Sequence, residues 1–454
     1  MNAAFDALIV GAGQAGPPLA RRLTASGMRV ALIERKLFGG TCVNTGCMPT
    51  KTLIASARAA YGVRRAADFG VQTYGPVAMD MQVVKARKDK VTLDARHGVE
   101  SGLKGMAGCS VFEGHARFAS ARSVRVGDAL LTAERIFLNV GGRAAILDLP
   151  GIHDVPYLTN ASMMALDVLP RHLVIVGGSY IGLEFAQMYR RFGSEVTVIE
   201  RGPRLISGED PEVSSAVQAI LEREGIAFHL NADNICFAQR GNDIAVGTTA
   251  SHEVVGSHLL VAVGRRPNTD DLQLDAAGVA LDARGYITVD EQLRTNVPGI
   301  WAPGDCNGRG AFTHTAYNDF EIVAANLLDG AHRKVSDRID TYALYIDPPL
   351  ARVGLSEAQA RKADYSVRVG MRPMSRVGRA VEKGETDGFM QIVVDAATQK
   401  ILGATILGVG GDEAIHSILD TMAAQAPYPV LQQAMHIHPT VAELIPTLLG
   451  ELKP

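Results

Sequence analysis

Two closely spaced cysteines are the residues best suited to chemistry in this 454-residue chain. Cys42 and Cys47 are five positions apart, whereas Cys109, Cys236 and Cys306 are scattered. Neighbouring thiols can cycle between a dithiol and a disulfide, while a structural zinc site would need four clustered ligands. Five cysteines in all are too few for a secreted disulfide scaffold. The pattern predicts one local redox pair, and two unpaired buried thiols are the alternative.

A disulfide between Cys42 and Cys47 would require the backbone between them to depart from a regular helix. A disulfide requires Cα atoms within about 7 Å, and residues five apart in a regular helix are farther apart than that. We therefore expect a distorted first helical turn, in which Asn44 and Gly46 supply flexibility and Pro49 limits how the helix begins. The amino terminus of a helix also lowers the pKa of a thiol, because its dipole favours the thiolate.

An internal repeat indicates which elements surround these cysteines. Each copy predicts a buried parallel strand, a glycine-rich turn, a helix and a second strand. Gly27 and Gly193 stand where the end of a helix needs left-handed backbone. At a shift of 166 residues the chain aligns with itself at Gly11/Gly177, Gly16/Gly182, Gly27/Gly193, Val30/Val196, Ile33/Ile199, Glu34/Glu200 and Arg35/Arg201.

The glycine-rich turns predict two dinucleotide-binding sites. Glycines let backbone N–H groups and a helix amino terminus approach a pyrophosphate, and an acid about twenty residues later can bond a ribose hydroxyl. Ser179 stands where the second turn is expected to have glycine, so its β-carbon should move the backbone slightly away from the phosphates. The predicted ligands are Gly11, Gly13, Gly16 and Glu34 in the first site and Gly177, Gly178, Gly182 and Glu200 in the second.

Composition excludes several classes of function. A net charge of −3 argues against a nucleic-acid groove, which needs an excess of Lys and Arg. No apolar run approaches the 18 residues of a membrane span. Asp6 and the lack of a basic flank argue against a signal peptide. We expect a cytoplasmic enzyme with neither a nucleic-acid partner nor a membrane partner.

Further motifs lie between the two copies of the repeat and after the second copy. They are Gly-Gly-Thr-Cys42 with Cys47-x-Pro-x-Lys51, Gly114-His-Ala116-Arg-Phe118, Asn139-Val-Gly141-Gly142, Ala262-Val-Gly264-Arg-Arg-Pro-Asn268, Trp301-Ala-Pro-Gly304-Asp305 and His436-Ile-His438-Pro-Thr-Val-Ala-Glu443. In these motifs and their order the chain resembles the class I pyridine nucleotide–disulfide oxidoreductases, which include lipoamide dehydrogenase, glutathione reductase and mercuric reductase. The resemblance covers essentially the whole chain.

The resemblance implies FAD as a cofactor and a role for each cysteine. A nicotinamide hydride would reach the flavin, which in turn would open a Cys42–Cys47 disulfide. Cys47 would be the thiolate nearer the flavin, and Cys42 the exposed thiol that attacks the acceptor. His438 would be the base, and Glu443 would fix its tautomer. The alternative for Glu443 is that Thr440-Val-Ala-Glu443 merely forms a capping box.

The resemblance also implies the remaining site residues. Lys51 and Glu184 would form an ion pair beside flavin N5, where a positive charge favours the anionic reduced flavin; a surface lysine and a mid-helix glutamate are the alternative. Tyr180 would be an aromatic gate where nicotinamide enters, or simply an apolar residue at the start of a helix. Further expected cofactor contacts are Thr41, Ala116, Asp305 and Thr313 for FAD, with Asp305 bonding the ribityl chain, and Ile181 and Gly264 for the nicotinamide nucleotide.

The choice of nicotinamide nucleotide depends on Glu200. A carboxylate there accepts hydrogen bonds from the free 2′-hydroxyl of NAD and repels the 2′-phosphate of NADP, so NADH is the expected donor. Arg201 and Arg204 follow at once, and NADP-using relatives place arginines in this turn. NADPH therefore stays open as an alternative.

The predicted fold class is α/β, with two Rossmann-like dinucleotide-binding domains and a C-terminal α+β interface domain. Residues 1–150 form the FAD-binding domain, 151–267 the nicotinamide domain, 268–335 a return to the FAD and central region, and 336–454 the interface domain. Strands are expected at 345–354, 388–395 and 401–407, in an antiparallel sheet. If His438 serves the partner's disulfide, as in family members, the protein is a C2 homodimer.

The expected acceptor is a soft metal ion or a related small oxidant. The Ser179 turn, the 347–357 run and the Ala311–His314 segment look most like mercuric reductases and related copper-reducing flavoenzymes, and soft ions can bind Cys42 and Cys47 thiolates transiently. No structural metal is expected. Residues 447–454 contain no cysteine pair like that near the C-terminus of mercuric reductases. Because the first predicted strand begins within ten residues of Met1, we also expect no N-terminal metal-binding domain like theirs.

Two alternatives to metal reduction stay open. A dihydrolipoyl dehydrogenase activity fits the histidine signature and Glu200, whereas Glu200 opposes a glutathione reductase. A flavin-binding redox sensor without turnover is the other alternative. Six residues argue against the sensor, since it would not need all of them: Cys42, Cys47, Lys51, Glu184, His438 and Glu443.

Overall fold

The computed structural model describes residues 2–249 and 253–453. Its strands are β1 (Asn2–Ala4), β2 (Ala7–Val10), β3 (Val30–Glu34), β4 (Cys109–Glu113), β5 (Ala116–Ser120), β6 (Ser123–Val126), β7 (Ala129–Thr132), β8 (Arg135–Leu138), β9 (Gly142–Ala144), β10 (His172–Val176), β11 (Glu195–Ile199), β12 (Ala227–His229), β13 (Cys236–Arg240), β14 (Asp243–Gly247), β15 (Glu253–Gly256), β16 (His258–Val261), β17 (Arg265–Pro267), β18 (Ile300–Trp301), β19 (Thr341–Leu344), β20 (Leu350–Gly354), β21 (Val367–Pro373), β22 (Phe389–Asp395) and β23 (Ile401–Leu407). Its α-helices are α1 (Gly16–Ala25), α2 (Gly40–Asn44), α3 (Cys47–Arg64), α4 (Met81–Lys104), α5 (Asn160–Met163), α6 (Tyr180–Phe192), α7 (Pro211–Arg223), α8 (Thr313–Leu328), α9 (Glu357–Lys362), α10 (Gly378–Glu382), α11 (Gly411–Ala414), α12 (His416–Ala423), α13 (Tyr428–Gln432) and α14 (Ile445–Gly450).

The first copy of the repeat lies in a parallel five-stranded sheet. Its strand order is β18-β8-β2-β3-β4, and α1 connects β2 to β3 as predicted. All four residues of β2 are buried, in a core that they share with α1 and with apolar residues of β5, β6 and β7. β18 comes from beyond the second copy of the repeat, so the chain returns to this sheet after residue 268. A second sheet, β1-β7-β6-β5, lies in the same part of the chain.

The second copy of the repeat forms a parallel sheet of its own. The order is β12-β11-β10-β16, with α6 between β10 and β11, and the antiparallel ribbon β13-β14-β15 follows. The polypeptide therefore passes from the first parallel sheet to the second and then returns to the first. The exact domain boundaries at 150, 267 and 335 stay predictions.

The C-terminal part is the predicted antiparallel sheet with helices. Its strand order is β19-β20-β23-β22-β21, and β22 and β23 fall where expected. The strand expected from residue 345 was wrong at its start: β20 begins at Leu350, and residues 345–349 connect it to β19. Pro348 and Pro349 lie in this connection and cannot donate a backbone hydrogen bond to a neighbouring strand.

Within residues 2–249 and 253–453, no helix combines the length with the apolar character that crossing a membrane demands. The fold class is the one predicted: an α/β chain with two dinucleotide-binding units and a C-terminal α+β unit.

Candidate active site

The first glycine-rich turn is too tight for side chains. A β-carbon on Gly11, where φ is +107°, would lie 2.3 Å from the carbonyl oxygen of Asn139. One on Gly16 would lie 2.4 Å from the carbonyl oxygen of Gly11. At Gly13 a β-carbon would press on the Asn139 side-chain amide at 3.2 Å. α1 begins at Gly16, but Pro17 and Pro18 in its first helical turn have no N–H, so the backbone donors for a phosphate belong to the glycine-rich turn itself.

A cavity of about 850 Å³ runs from this turn to the cysteines. Its volume is within the range of small-molecule and cofactor pockets. An acid at one end, a glycine turn along the wall and two thiols at the other end fit an elongated dinucleotide such as FAD. The predicted site residues that line it are Gly11, Gly13, Glu34, Thr41, Cys42, Cys47, Lys51, Ala116, Tyr180, Ile181, Glu184, Asp305 and Thr313.

Two carboxylates in the cavity are held in place. Glu34 accepts hydrogen bonds from the backbone N–H of Ala12 at 2.9 Å and of Lys36 at 2.8 Å. Asp305 lies 3.3 Å from an Arg265 nitrogen, and burial raises the pKa of the Asp305 carboxyl. Arg265 Nε is buried, with no hydrogen-bond partner in the part of the chain that the structure describes. An orphaned donor in the wall of the cavity indicates a polar ligand.

The cysteines lie on two helices. The expected distorted first turn of one helix was wrong, because α2 ends at Asn44 and α3 begins at Cys47. Gly46 makes the break, and a β-carbon there would lie 2.9 Å from the carbonyl oxygen of Thr41. Cys47 therefore stands at the amino terminus of an 18-residue helix.

Cys42 and Cys47 are free thiols that hydrogen-bond to each other. Accepting this bond, together with a weaker contribution from Thr313 Oγ1 3.3 Å away, lowers the pKa of Cys47 to about 6. The same bond and burial raise the pKa of Cys42 far above its usual range. At neutral pH the geometry thus favours a Cys47 thiolate beside a Cys42 thiol.

Both thiols line the cavity. Cys47 is exposed beside Thr313, and Cys42 is half-buried. That Cys42 is the exposed thiol once FAD is bound stays a prediction.

Lys51 and Glu184 form the expected ion pair. Lys51 Nζ lies 2.9 Å from both carboxylate oxygens of Glu184, whose side chain is 5% exposed. Lys51 is one turn beyond Cys47 on α3, and its charge lowers the pKa of that thiol. The reading of Lys51 as a plain surface lysine does not match this contact. Tyr180 lines the same end of the cavity and contacts Phe312, with ring centroids 5.6 Å apart.

The second glycine-rich turn repeats the geometry of the first. A β-carbon on Gly177, at φ +116°, would lie 2.4 Å from the carbonyl oxygen of Ala262, and one on Gly182 would lie 2.0 Å from that of Gly177. Glu200 accepts hydrogen bonds from the N–H groups of Gly178 and Gly202, both at 2.6 Å. Gly264, at φ +122°, follows β16 close to this turn.

His438 and Glu443 are joined as predicted. His438 Nδ1 lies 2.9 Å from Glu443 Oε2, and the two side chains are 79% and 15% exposed. Half of the capping box is also present, because Glu443 N–H donates to Thr440 Oγ1 at 3.2 Å. The Glu443 carboxylate, however, binds the imidazole. The residues that line the cavity within one described chain do not include His438 or Glu443.

Sequence reasoning missed Tyr345 as a site residue. Its N–H donates to Glu184 Oε1 at 3.0 Å, and Lys51 Nζ lies 4.5 Å from the centre of its ring. Its partners are more than 150 positions away in the chain, so no local pattern marks it. Phe312 was quoted only as part of a motif, although it packs directly against the predicted gate.

Comparison with known proteins agrees with this geometry. Residues 5–319 match the family described as "Pyridine nucleotide-disulphide oxidoreductase", and residues 341–449 match its dimerisation domain. The chain belongs to the pyridine nucleotide–disulphide oxidoreductases, a family that depends on FAD and NAD(P).

Several relatives match over almost their full length. A probable pyridine nucleotide-disulfide oxidoreductase, RclA of Escherichia coli K12, is 35% identical and covers 99% of both chains. A dihydrolipoyl dehydrogenase of Chlamydia muridarum is 34% identical, covering 98% of this chain and 96% of the relative. A mercuric reductase of Streptomyces lividans is also 34% identical, covering 97% and 94%. The solved structure described as the Cu(II) complex of the HOCl-induced flavoprotein disulfide reductase RclA from Escherichia coli superposes with a TM-score of 0.91 at 34% identity, covering 98% and 99%.

Proposed function

We propose that this protein takes electrons from NADH through FAD to a Cys42–Cys47 disulfide and passes them to a soft metal ion such as Cu(II) or Hg(II). The observation that carries the proposal is a Cys47 sulfur whose pKa is lowered to about 6 at the thiol end of the cavity, beside Thr313 and the Lys51–Glu184 pair. FAD, when bound, supplies a two-electron carrier between the nicotinamide and the sulfurs. The chain's own residues hold it and handle the thiols.

Different residues of the cavity would bind different parts of FAD. The backbone N–H groups of the first glycine-rich turn and the dipole of α1 would hold the pyrophosphate, since Pro17 and Pro18 in the first turn of α1 have no N–H to donate. Glu34 keeps free lone pairs for a ribose hydroxyl beside its two backbone bonds. Asp305 would bond the ribityl chain, next to the unpartnered Arg265 Nε. Lys51 would place its charge near flavin N5.

The two sulfur atoms account for all electrons and protons that are transferred. NADH gives a hydride equivalent, the S–S bond breaks, and the products are NAD⁺, a Cys47 thiolate and a Cys42 thiol. One Hg(II), or two Cu(II), then takes two electrons while the S–S bond reforms and one proton leaves. Because Cys42 holds its proton strongly, its reaction requires a base.

His438 is the proposed base, supplied by a second copy of the chain. It is four-fifths exposed, bonded to Glu443 and outside the cavity of its own chain. Met435 is 99% exposed and Ile437 79% exposed beside it, which is unusual for apolar side chains unless another surface covers them. A C2 dimer through the matched dimerisation domain would bring His438 to the partner's Cys42.

NADH is the proposed donor because Glu200 places a carboxylate at the end of β11. Its two backbone bonds fix the charge where a 2′-phosphate would lie. NADPH stays as the second donor to be tested, since Arg201 is exposed nearby.

A soft metal ion is the proposed acceptor because thiolates are soft ligands and because relatives of near full length carry such names. One is described as a mercuric reductase and another as a Cu(II) complex. Lipoamide is the second candidate, and the dihydrolipoyl dehydrogenase relative and the His438–Glu443 pair favour it.

A panel of acceptors tests the proposal. NADH oxidation by the purified holoenzyme is measured anaerobically with Cu(II), Hg(II), lipoamide, glutathione disulfide and a quinone. We expect turnover with a metal ion that Cys42→Ser abolishes and Cys236→Ser, which changes an exposed cysteine elsewhere, leaves intact. Turnover with lipoamide alone would assign the second candidate. Turnover that is unchanged in Cys42→Ser would refute the dithiol mechanism.

Mixed dimers test the shared site. Cys42→Ser and His438→Ala subunits are each expected to be inactive, but equal mixing after dissociation should restore about a quarter of the parent activity, because half of the dimers then hold one intact site of two. No recovery, with dimers confirmed by light scattering, would place His438 outside the partner's site.

A further inference from the structure

We propose that Arg58, Arg191 and Asp347 are positioning residues that hold the Lys51–Glu184 pair in register beside Cys47. This inference rests on the proposed function, since it concerns the same thiolate. None of the three residues lines the cavity, so their effect passes through other side chains.

Two helices and one loop meet at the Lys51–Glu184 ion pair, which is the first of two contacts between the helices. Lys51 of α3 binds Glu184 of α6 at 2.9 Å. Tyr345, in the connection between β19 and β20, closes this contact from a third side. Its N–H donates to Glu184 and its ring lies beneath the Lys51 ammonium.

A second contact repeats the arrangement seven residues further along both helices. Arg58 of α3 donates to Asp347 Oδ1 at 2.7 Å, and Arg191 of α6 donates to Asp347 Oδ2 at 2.5 Å. From the first contact to the second, the residue number rises by seven on both helices, so α3 and α6 run parallel. Two helical turns separate the contacts, about 10 Å along the axis. We call Arg58, Arg191 and Asp347 the carboxylate clamp.

The clamp is fixed on the α6 side. Arg191 is 4% exposed, forms two hydrogen bonds with Glu224 at 2.7 and 2.8 Å, and lies 3.8 Å from the centre of the Tyr61 ring. Gln187 exchanges two hydrogen bonds with the backbone of Asp347, at 2.7 and 2.8 Å. A buried arginine with this many partners has little freedom to move, and loss of one partner is costly.

The clamp and the ion pair share one short segment of chain. Asp347 is two residues beyond Tyr345, so the loop cannot shift at one contact without shifting at the other. If the clamp is broken, Tyr345 and the α3–α6 register are no longer fixed, and the Lys51 charge moves relative to Cys47. The clamp therefore acts on the thiolate through Lys51.

A pH titration of the thiolate separates this role from a merely structural one. The holoenzyme is reduced anaerobically with dithiothreitol, and the long-wavelength absorption of the Cys47 thiolate beside FAD is followed from acid to neutral pH. Arg191→Met and Arg58→Met are each expected to raise the midpoint by about one pH unit. Arg190→Met is the matched control, because Arg190 bonds carbonyl oxygens of Glu224 and Ser194 rather than Asp347.

The decisive comparison uses a Lys51→Met background, in which Arg191→Met should add no further shift. An unchanged midpoint in both clamp variants, or an equal shift with and without Lys51, would overturn the inference. If Arg191→Met does not fold, Arg58→Met decides, since that side chain is 46% exposed. Absence of the band in the parent protein would count against the proposed function instead.

Discussion

The two glycine-rich turns reach the same geometry with different residues. In the first turn the sequence is Gly11-Ala12-Gly13, and in the second it is Gly177-Gly178-Ser179. Each middle residue donates its N–H to the acid at the end of the next strand, Glu34 or Glu200. The shared contact is made by the backbone, so the side chain at the middle position is free to differ.

The neighbours of each turn decide which position must be glycine. A β-carbon on Gly13 would lie 3.2 Å from the Asn139 side-chain amide, and one on Gly40 would lie 2.9 Å from Gly13 Cα. In the second turn Ala262 stands where Asn139 stands in the first, because Gly177 meets its carbonyl just as Gly11 meets that of Asn139. A small side chain there leaves room for Ser179, which has φ −106° and is exposed.

The second turn is crowded at its middle position instead. A β-carbon on Gly178 would lie 2.7 Å from the Leu205 side chain. Ile206 N–H donates to Gly178 O at 3.0 Å, as Gly39 N–H donates to Ala12 O at 2.9 Å. Gly39 has φ +91°, whereas Ile206 holds φ +39°, which is strained for a β-branched residue. The residues packed against each turn, rather than the sequence motif itself, therefore decide which positions must be glycine.

The largest expected effect comes from the third glycine of each turn. Gly16→Ala and Gly182→Ala each drive a β-carbon into a backbone oxygen, which costs about 1–3 kcal/mol or more. We expect Gly16→Ala to purify with little FAD, and Gly182→Ala to keep FAD while the KM for NADH rises by about tenfold or more. Flavin absorbance per protein and steady-state kinetics measure both. Loss of the same nucleotide in both variants would contradict the assignment of the turns.

Exchanging the residues at which the two turns differ should have a smaller effect, and mainly in the first turn. Gly13→Ser is expected to weaken FAD binding by about tenfold, or about 1.4 kcal/mol, because of the Asn139 amide. Ser179→Gly should change the KM for NADH by less than about twofold, since its side chain is exposed. Fluorescence titration of apoprotein with FAD gives the affinity. Adding Asn139→Ala should recover part of the loss in Gly13→Ser; no recovery would mean that Asn139 is not the cause.

The acids should differ in which nucleotide they select. Glu200→Gln keeps an acceptor for the Gly178 N–H but removes the charge, and we expect the preference for NADH over NADPH in kcat/KM to fall by about tenfold. Glu34→Gln is the matched control in the other turn and should leave this preference unchanged. A Glu200→Gln variant with the parent's preference would show that the carboxylate does not set the choice of donor.

The smallest expected effect concerns the arginines that follow the acids. Arg35 is paired with Asp271 at 2.6 Å, whereas Arg201 forms no hydrogen bond or ion pair among the described residues. Arg201→Ala is expected to raise the KM for NADPH by about threefold and leave that for NADH unchanged, because an exposed charge contributes less than about 1 kcal/mol. Arg35→Ala should change neither KM. Equal effects on both nucleotides would point to a structural role for Arg201.

Local patterns predicted the repeat well. The strand, turn, helix and strand of each copy follow from apolar runs and glycines that are contiguous in sequence, and the structure confirms them in β2–α1–β3 and β10–α6–β11. The strand expected from residue 345 began too early, and the helix break between Cys42 and Cys47 was read as a distortion of one helix. Both depend on how neighbouring segments pack.

The sequence by itself determined the residue types and spacings that bind a nucleotide and carry a thiol pair: the glycines of the turns, the acids that follow them, Cys42, Cys47 and the His438–Glu443 signature. These are local, because a turn or a helix start is set by residues within a few positions. Only the tertiary structure decided that Tyr345 closes the Lys51–Glu184 pair, that Asp347 joins Arg58 to Arg191, and that Asn139 restricts Gly13. Those contacts join segments more than 100 positions apart, and burial and packing fix them after the local elements have formed.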